Sequence, residues 1–235
     1  KTIHNQLSGI LNHAVNMYGL KDNVARKTGT MGKEENKEME FWIQEEFQAF
    51  LECVADKPIS YYAFEILYWT GIREGELIAL TPGDFNFEKK TLRINKSYQR
   101  LEGKDVITDP KTPKSNRTIV MPDFLTIEME DFIKSIYGIK MDDRIFTISK
   151  SYLHHEMDRG AKLAGVKRIR IHGLRHSHIS LLINLGFSAL TIGERVGHEA
   201  VDITYHYAHL FPTVQTDMAA QLETEREALV NVRKE

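Results

Sequence analysis

The spacing of apolar residues predicts helices through the first third of the chain. Up to Gly19, an apolar side chain recurs every three or four residues, which is typical of one face of a helix that ends at a glycine. The same spacing returns around residues 47–51 and again around 62–67, where Gly71 ends the predicted helix. Residues 77–80 continue the pattern, so we expect a short third helix there.

The period then changes to the alternation that is typical of strands. Runs of alternating or β-branched residues occupy 85–87, 91–99, 105–109 and 117–121, with a proline-bearing turn at 110–116. Helical spacing returns at 123–137, 150–164, 173–185, 188–196 and 199–209. We therefore expect an α+β protein that is mostly helical, with one small antiparallel three-stranded sheet, and not a doubly wound α/β sheet.

Composition is that of an ordinary globular protein. The chain has 235 residues, with 42% hydrophobic and 27% charged, and it contains no apolar run near the eighteen residues that a membrane-spanning helix needs. The single cysteine, Cys53, cannot form an internal disulfide, which fits a reducing cytosol. The chain begins at Lys1 inside a helical pattern, so we expect it to be part of a longer protein.

The distribution of charge is more informative than the net charge of −2. Residues 89–117 are strongly basic, and only Glu102, Asp105 and Asp109 oppose Lys89, Lys90, Arg93, Lys96, Arg100, Lys104, Lys111, Lys114 and Arg117. A near-neutral protein can bind a polyanion through such a segment. A solvated lysine-rich hairpin is the simpler interpretation of the charge run alone.

Two candidate sites lie in the first half of the chain. Arg73 follows a glycine at the end of an apolar helix, where an unpaired charge is costly to bury, and Glu76 lies one helical turn further on. Lys111 lies in a proline-bracketed turn between strands. Taken alone, the first is better interpreted as a surface salt bridge and the second as an exposed lysine.

Histidines and tyrosines mark two further candidate sites. His172 and Arg175 share one helix face, while His172 and His176 have the i, i+4 spacing of zinc ligands. The HExxH glutamate is absent and an arginine between the ligands would repel a cation, so we expect no metal. Tyr205 and Tyr207 point to nearly opposite sides of the last predicted helix, so one can be buried while the other faces a pocket.

Together these residues indicate a site for a phosphodiester. Two arginines, a lysine, two histidines and a tyrosine are groups that bind and attack a phosphate, and neither a GxxxxGK[ST] nor a GxGxxG loop is present to hold a nucleotide. We therefore expect the phosphate to belong to a polymer.

Three separated boxes resemble those of the tyrosine recombinases, also called phage integrases, especially those of Gram-positive phages and conjugative elements. TGIREGELIALTPGDF is similar to the family's first arginine box, IHGLRHSHISLLINLG to its HxxR box and RVGHEAVDITYHYAHL to its closing box. In that closing box the nucleophile stands nine residues after the histidine, and nine residues after His198 stands Tyr207. The resemblance therefore selects Tyr207, and not Tyr205, as the candidate nucleophile.

The resemblance also implies the site residues and their roles. The implied catalytic residues are Arg73, Lys111, His172, Arg175, His198 and Tyr207, with Glu76 as a brace for the first arginine. Tyr207 would form a 3′-phosphotyrosine, His172 would accept its proton, and Lys111 (or, as second choice, Lys114) would protonate the departing 5′-oxygen. The expected DNA contacts are Lys96, Arg100, Lys114 and Arg117, and no metal or cofactor is implied.

The same resemblance implies a domain organisation and partners. Residues 1–27 would end a truncated core-DNA-binding domain, 28–40 would be a linker, 41–210 the catalytic domain and 211–235 a tail that docks on a neighbouring protomer. The implied partners are double-stranded DNA at the core of an attachment site and three further copies of the chain in a tetramer on that DNA. An excisionase or a host DNA-bending protein is the implied helper, in the cytosol of a bacterial host.

Three other functions stay open at this point. A type IB topoisomerase would use the same chemistry and relax plasmids without strand exchange. A non-catalytic DNA-binding module of the same fold would form no covalent adduct. A zinc hydrolase built on the histidines would contain the metal after purification.

Overall fold

The computed structural model of the chain describes residues 2–28, 39–109, 115–197, 207 and 222–224. The chain divides into two compact units, residues 1–38 and 39–235. Among the described residues, no helix is long and apolar enough to cross a membrane. The helix predicted over 199–209 lies outside the described residues apart from Tyr207. Residues 29–38 of the linker predicted over 28–40, and most of the tail, also lie outside them.

In the first unit, Asn23 joins two helices, α1 (Thr2–Tyr18) and α2 (Val24–Lys27). The Asn23 side chain accepts a hydrogen bond from the Ala25 N–H at 3.0 Å and donates to Asn12 on α1 at 2.9 Å. Helix α1 ends where the apolar pattern predicts, because Gly19 follows it with a left-handed φ of 70°.

The second unit is mostly helical around one apolar core. Its described helices are α3 (Gln44–Val54), α4 (Pro58–Thr70), α5 (Glu74–Ala79), α6 (Asp123–Ser135), α7 (Lys150–Ala164), α8 (Ile171–Asn184) and α9 (Ala189–Val196). In the core, Phe47 of α3 stacks on Tyr68 of α4 with ring centroids 3.7 Å apart. Gly160 of α7 allows close packing against α3, since a Cβ there would meet the Phe50 ring at 2.4 Å. These contacts fix the helices that carry the candidate site.

Gly71 ends α4 and sets the turn that leads into Arg73. Its φ of 64° is left-handed, and its N–H donates to the Leu67 carbonyl at 3.1 Å. A Cβ at Gly71 would also meet the His178 ring at 2.6 Å, so α8 packs against the backbone of this turn. The glycine is therefore required both by its conformation and by the close approach of α8.

The strands form two separate antiparallel ladders in the described part of the chain. Strands β1 (Phe85–Asn86), β2 (Thr91–Ile94) and β5 (Arg117–Val120) form the expected three-stranded sheet, with β2 in the centre. Strands β3 (Ser97–Leu101) and β4 (Lys104–Thr108) pair only with each other. The run predicted as one strand over 91–99 is thus divided at Asn95 and Lys96.

The division follows from burial. Leu92 and Ile94 of β2 lie in the core, whereas the outer ends of β3 and β4 are largely polar and exposed. Among the residues of β3 and β4 only Tyr98 is buried in the core, so most of this hairpin covers no apolar surface and it pairs separately from the three-stranded sheet. That hairpin turns at Glu102 and Gly103, both with positive φ.

One carboxyl group is buried in the core away from the candidate site. Glu65 of α4 is 5% exposed, and its Oε2 has no hydrogen-bond partner among the described residues. Burial raises the pKa of Glu65 to about 7, with a further increase from the nearby Glu128 of α6 and an opposing hydrogen bond from Trp69. Between about pH 4.5 and pH 7, the folded state therefore holds a proton on Glu65 that the unfolded state has released.

We expect stability to fall as the pH rises from about 4.5 to 7, because the folded-state pKa of Glu65 lies above its unfolded value. A Glu65→Gln variant removes this loss, so at pH 8 it should be more stable than the original chain by at most about 3 kcal/mol. Urea denaturation at pH 5 and pH 8 measures the free energy of unfolding of the original chain and of the variant at each pH. The exposed Glu52→Gln is the control, and an unchanged pH dependence in Glu65→Gln would contradict the prediction.

Candidate active site

Arg73 lies at the start of α5, directly after the Gly71 turn. Its backbone N–H donates to Glu76 Oε2 at 2.8 Å and its Nη1 donates to Glu76 Oε1 at 2.8 Å. The Arg73 side chain is 35% exposed, so the guanidinium is held on one side and open on the other. An arginine fixed in this way can offer its remaining donors to an anion.

Glu76 is buried between two guanidinium groups. Arg117 of β5 donates to it twice, from Nη2 to Oε2 at 2.9 Å and from Nη1 to Oε1 at 3.2 Å. Burial acts to raise the pKa of Glu76, but the hydrogen bond from Arg117 and the charges of Arg117 and Arg73 outweigh it, so the pKa is lowered. Glu76 therefore stays ionised and is the counter-charge of both arginines.

Arg117 was expected to contact DNA, but in the structure its side chain is buried against Glu76. The residue is only 9% exposed and both Nη atoms are bonded to Glu76, so its guanidinium is directed into the protein. A buried arginine is stable only when it is paired, and here the partner lies 41 residues away in the sequence. We assign Arg117 to holding Glu76 instead of DNA.

A Glu76→Gln variant is expected to be less stable by about 3 kcal/mol, because it leaves the buried Arg117 without its counter-charge. Urea denaturation of the variant measures the loss. The control is Glu88→Gln at an exposed turn. Equal stability of the two variants would show that the ion pair contributes nothing.

Arg175 is the second arginine of the site and is 1% exposed on α8. Its Nη1 donates to the Gly71 carbonyl and its Nη2 to the Val196 carbonyl, both at 2.5 Å. Burial, and then the charges of Arg73 and Arg117, lower the pKa of Arg175 to about 9, so it is still charged at neutral pH. Its Nε is buried without a hydrogen-bond partner among the described residues.

The C-terminal end of α9 holds all three guanidinium groups. The successive carbonyls of residues 195–197 accept from Arg117 Nε at 2.9 Å, Arg175 Nη2 at 2.5 Å and Arg73 Nη2 at 3.4 Å. Because the end of a helix carries partial negative charge, it favours cations at this position. The arrangement brings Arg73 and Arg175 to neighbouring carbonyls, although they lie far apart in the sequence.

The Arg195 side chain fixes α9 to its neighbours. It donates to the Trp69 carbonyl at 3.1 Å, the Val120 carbonyl at 3.0 Å and His178 Nε2 at 3.0 Å. Burial, and then the charges of Arg195 and Arg175, lower the pKa of His178 to about 3, so His178 is neutral. His178 is therefore a structural acceptor. In the described part of the chain, no group of three or more His, Cys, Asp or Glu side chains is placed to hold a metal.

His172 lies inside α8, which begins at Ile171, two residues before the predicted start. Burial, and then the charges of Arg175 and Arg73, lower the pKa of His172, which favours its neutral ring. The His176 ring lies next to it, edge-on, with centroids 4.9 Å apart.

Tyr207 packs against the apolar side of α8 and α9. It is 2% exposed and belongs to a cluster with Ile179, Ile183, Ile192 and Val196. Its hydroxyl forms a hydrogen bond with His176 Nδ1. Burial raises the pKa of Tyr207, whereas the charge of Arg175 acts to lower it. The phenol is thus neutral in this state and is close enough to Arg175 to interact with its charge.

A groove of about 980 Å³ opens at Arg73, Glu76 and His172. The hairpin of β3 and β4 contributes one wall. The charged and titratable lining residues are Arg73, Glu74, Glu76, Lys96, Tyr98, Arg100, Asp109, Lys150 and His172. The groove presents both guanidinium and ammonium groups to solvent, which suits a polyanion.

The basic residues of the groove differ in pairing and exposure. Lys96, an expected DNA contact, donates to the buried Asp84 at 2.6 Å and to Thr81 at 3.0 Å, so its charge is already paired. Arg100, also expected to contact DNA, is largely exposed. Lys150 was not predicted, although it follows the N-cap Ser149 at the start of a clear helical pattern.

Four residues of the sequence-based prediction lie outside the described part of the chain. They are Lys111, Lys114, His198 and Tyr205. The choice between Lys111 and Lys114, and the role of His198, stay predictions.

Known proteins are similar to this chain over the residues that form the candidate site. The family model described as the phage integrase family matches residues 40–213. Among curated proteins, the ICEBs1 integrase of Bacillus subtilis (strain 168) is 32% identical over 95% of this chain and 65% of its own length. The integrase of Staphylococcus phage L54a is 29% identical over 68% of this chain and 51% of its own length. The chain thus spans less than two thirds of either relative.

Solved structures share the fold. The Tn1549 transposon integrase in complex with a circular intermediate DNA superposes with a TM-score of 0.77 at 20% identity, over 94% of this chain and 78% of that one. The XerA recombinase superposes with a TM-score of 0.60 at 18% identity, over 93% of this chain and 74% of that one.

Proposed function

Because this chain belongs to the phage integrase family, we propose that it cleaves and rejoins DNA strands as a site-specific recombinase. The observation that carries the proposal is the arginine pair. Arg73 and Arg175 donate to neighbouring carbonyls at the end of α9, and Arg175 keeps a buried Nε without an acceptor among the described residues. A buried donor without a partner is costly, and a phosphate oxygen would relieve that cost.

The residue types fit the chemistry of a phosphodiester. Tyr207 attacks the phosphorus, the bond to the 5′-oxygen breaks, and the strand remains joined to the protein as a 3′-phosphotyrosine. Negative charge grows on the non-bridging oxygens, where Arg73 and Arg175 donate charge-assisted hydrogen bonds and His198 adds a third donor. A fixed donor of this kind contributes about 3 kcal/mol to the transition state.

Two proton transfers complete the step. A histidine beside the phenol accepts the Tyr207 proton, and Lys111 gives a proton to the departing 5′-oxygen. The 5′-hydroxyl of a second strand then reverses the reaction. The new ester has an energy close to that of the bond it replaces, so neither water nor ATP is consumed.

The proposed partners follow from the family and the groove. The DNA-bound state of the Tn1549 integrase, which has the same fold, supports double-stranded DNA as the substrate. Arg100 and Lys150 line the groove and would face the phosphate backbone, whereas Lys96 lines it with its charge paired to Asp84. A tetramer on two duplexes, docking of the tail on a neighbouring protomer, and an excisionase or a DNA-bending helper protein complete the proposal.

Trapping of the covalent intermediate tests this function. A duplex that the protein binds is first selected from a randomised pool and then nicked beside the core, so that the cleaved fragment diffuses away. We expect a covalent adduct to accumulate in buffer containing EDTA, and mass spectrometry to locate the nucleotide on Tyr207. If the chain binds DNA but forms no adduct, it is a non-catalytic DNA-binding module. Plasmid relaxation without strand exchange would instead favour a topoisomerase.

A further inference from the structure

His176 is the side chain that contacts the Tyr207 hydroxyl in this structure. The hydrogen bond joins Tyr207 Oη to His176 Nδ1, across 31 residues of sequence. Resemblance to the family instead selects His172, four residues earlier, as the proton acceptor. His172 lines the groove with Arg73, and its ring meets His176 edge-on. The two histidines therefore have different neighbours, although they share one helix face.

We propose that His176, through Nδ1, is the base that accepts the proton of Tyr207 during strand cleavage. The inference rests on the proposed function of the site, which it makes more specific. A general base must lie within hydrogen-bond reach of the proton it removes, and His176 satisfies this requirement. His176 directly follows the second arginine and lies outside the HxxR pattern of His172 to Arg175.

The surroundings of the phenol explain why a base is needed. Tyr207 is 2% exposed in an apolar cluster, so water has little access to its hydroxyl and the phenolate would be poorly solvated. Arg175, next to His176 in the sequence, supplies positive charge that favours the phenolate.

The Tyr207 O–H bond breaks and its proton forms an N–H bond at His176 Nδ1, while the oxygen forms a bond to the DNA phosphorus. The bond from phosphorus to the 5′-oxygen breaks, and that oxygen takes a proton from the general acid, for which Lys111 is proposed. In the reverse step, His176 returns its proton to the tyrosine oxygen as the phosphotyrosine bond breaks.

Variants of His176 separate proton transfer from positioning. His176→Ala is expected to slow single-turnover adduct formation at pH 7 by about 100-fold or more. His176→Asn places an amide oxygen near the position of Nδ1 and can hold the phenol, but it cannot take up a proton, so it should be as slow as His176→Ala. Added imidazole should restore part of the rate in His176→Ala. A fast His176→Asn variant would show that the residue only positions the phenol and would overturn the proposal.

Two further measurements show which of the two proton transfers a His176 variant has lost. A substrate with sulphur in place of the 5′-bridging oxygen has a leaving group that needs no proton, so it should rescue Lys111→Ala but not His176→Ala. The original chain should show a rate that rises with pH and then levels, whereas His176→Ala should show a rate that keeps rising. A uniform loss at every pH, rescue of His176→Ala by the sulphur substrate, or transfer of these effects to His172→Ala would overturn the proposal. If the original chain forms no adduct with either substrate, the proposed function itself fails.

Discussion

A Tyr207→Phe variant is expected to form no covalent adduct with nicked DNA. The substitution removes only the hydroxyl, and the ring can remain in its apolar cluster beside α8 and α9. The loss of one hydrogen bond to His176 should lower the free energy of unfolding by about 1 kcal/mol, so the variant should stay folded. Denaturing gel electrophoresis measures the adduct, and binding to the same duplex should be unchanged.

The control for this experiment is Tyr205→Phe. It removes the same atom from the other tyrosine of the closing box, two residues away. We expect adduct formation at the rate of the original chain. An adduct that survives in Tyr207→Phe and disappears in Tyr205→Phe would reverse the choice of nucleophile that the nine-residue spacing suggests.

An Arg175→Lys variant is expected to cleave DNA about 1000-fold more slowly, which corresponds to about 4 kcal/mol in the transition state. Lysine keeps the charge but loses the planar fork that donates to the Gly71 and Val196 carbonyls, and it has no counterpart of the buried Nε. Single-turnover adduct formation measures the rate. Fluorescence anisotropy should show nearly unchanged affinity for DNA, because the charge remains.

Arg168→Lys is the matched control for Arg175→Lys. Arg168 is exposed and forms an ion pair with Asp158, so the same chemical change should leave the cleavage rate unaltered. Cleavage by Arg175→Lys within tenfold of the original rate would mean that the geometry of this guanidinium is not important to the reaction.

Local patterns in the sequence predicted the helices well. The apolar spacing through 150–164 coincides with α7, and the glycines at 19 and 71 end helices with the expected left-handed conformation. These features depend on residues that are close in sequence, so periodicity and capping rules are sufficient. The place of Arg73 after the Gly71 turn could be predicted for the same reason.

Contacts between distant residues were the part that could not be predicted. Arg117 belongs to a basic run and was expected on the surface, but its burial depends on Glu76, 41 residues earlier. Lys96 pairs with Asp84 across a strand boundary that the sequence did not indicate. The hydrogen bond between His176 and Tyr207 joins two boxes across 31 residues of sequence. In each case the partner that fixes the side chain is distant in sequence and is brought close only by tertiary packing.

The C-terminal end of α9 makes the three arginines interdependent. Since successive carbonyls of residues 195–197 hold Arg117, Arg175 and Arg73, a helix rotated by one residue, or about 100°, would present the wrong acceptor to each of them. The chain continues from this end directly to residue 198. Any event that reorients α9 would therefore displace the guanidinium groups of Arg73, Arg117 and Arg175 together, so these side chains keep or lose their acceptors as a set.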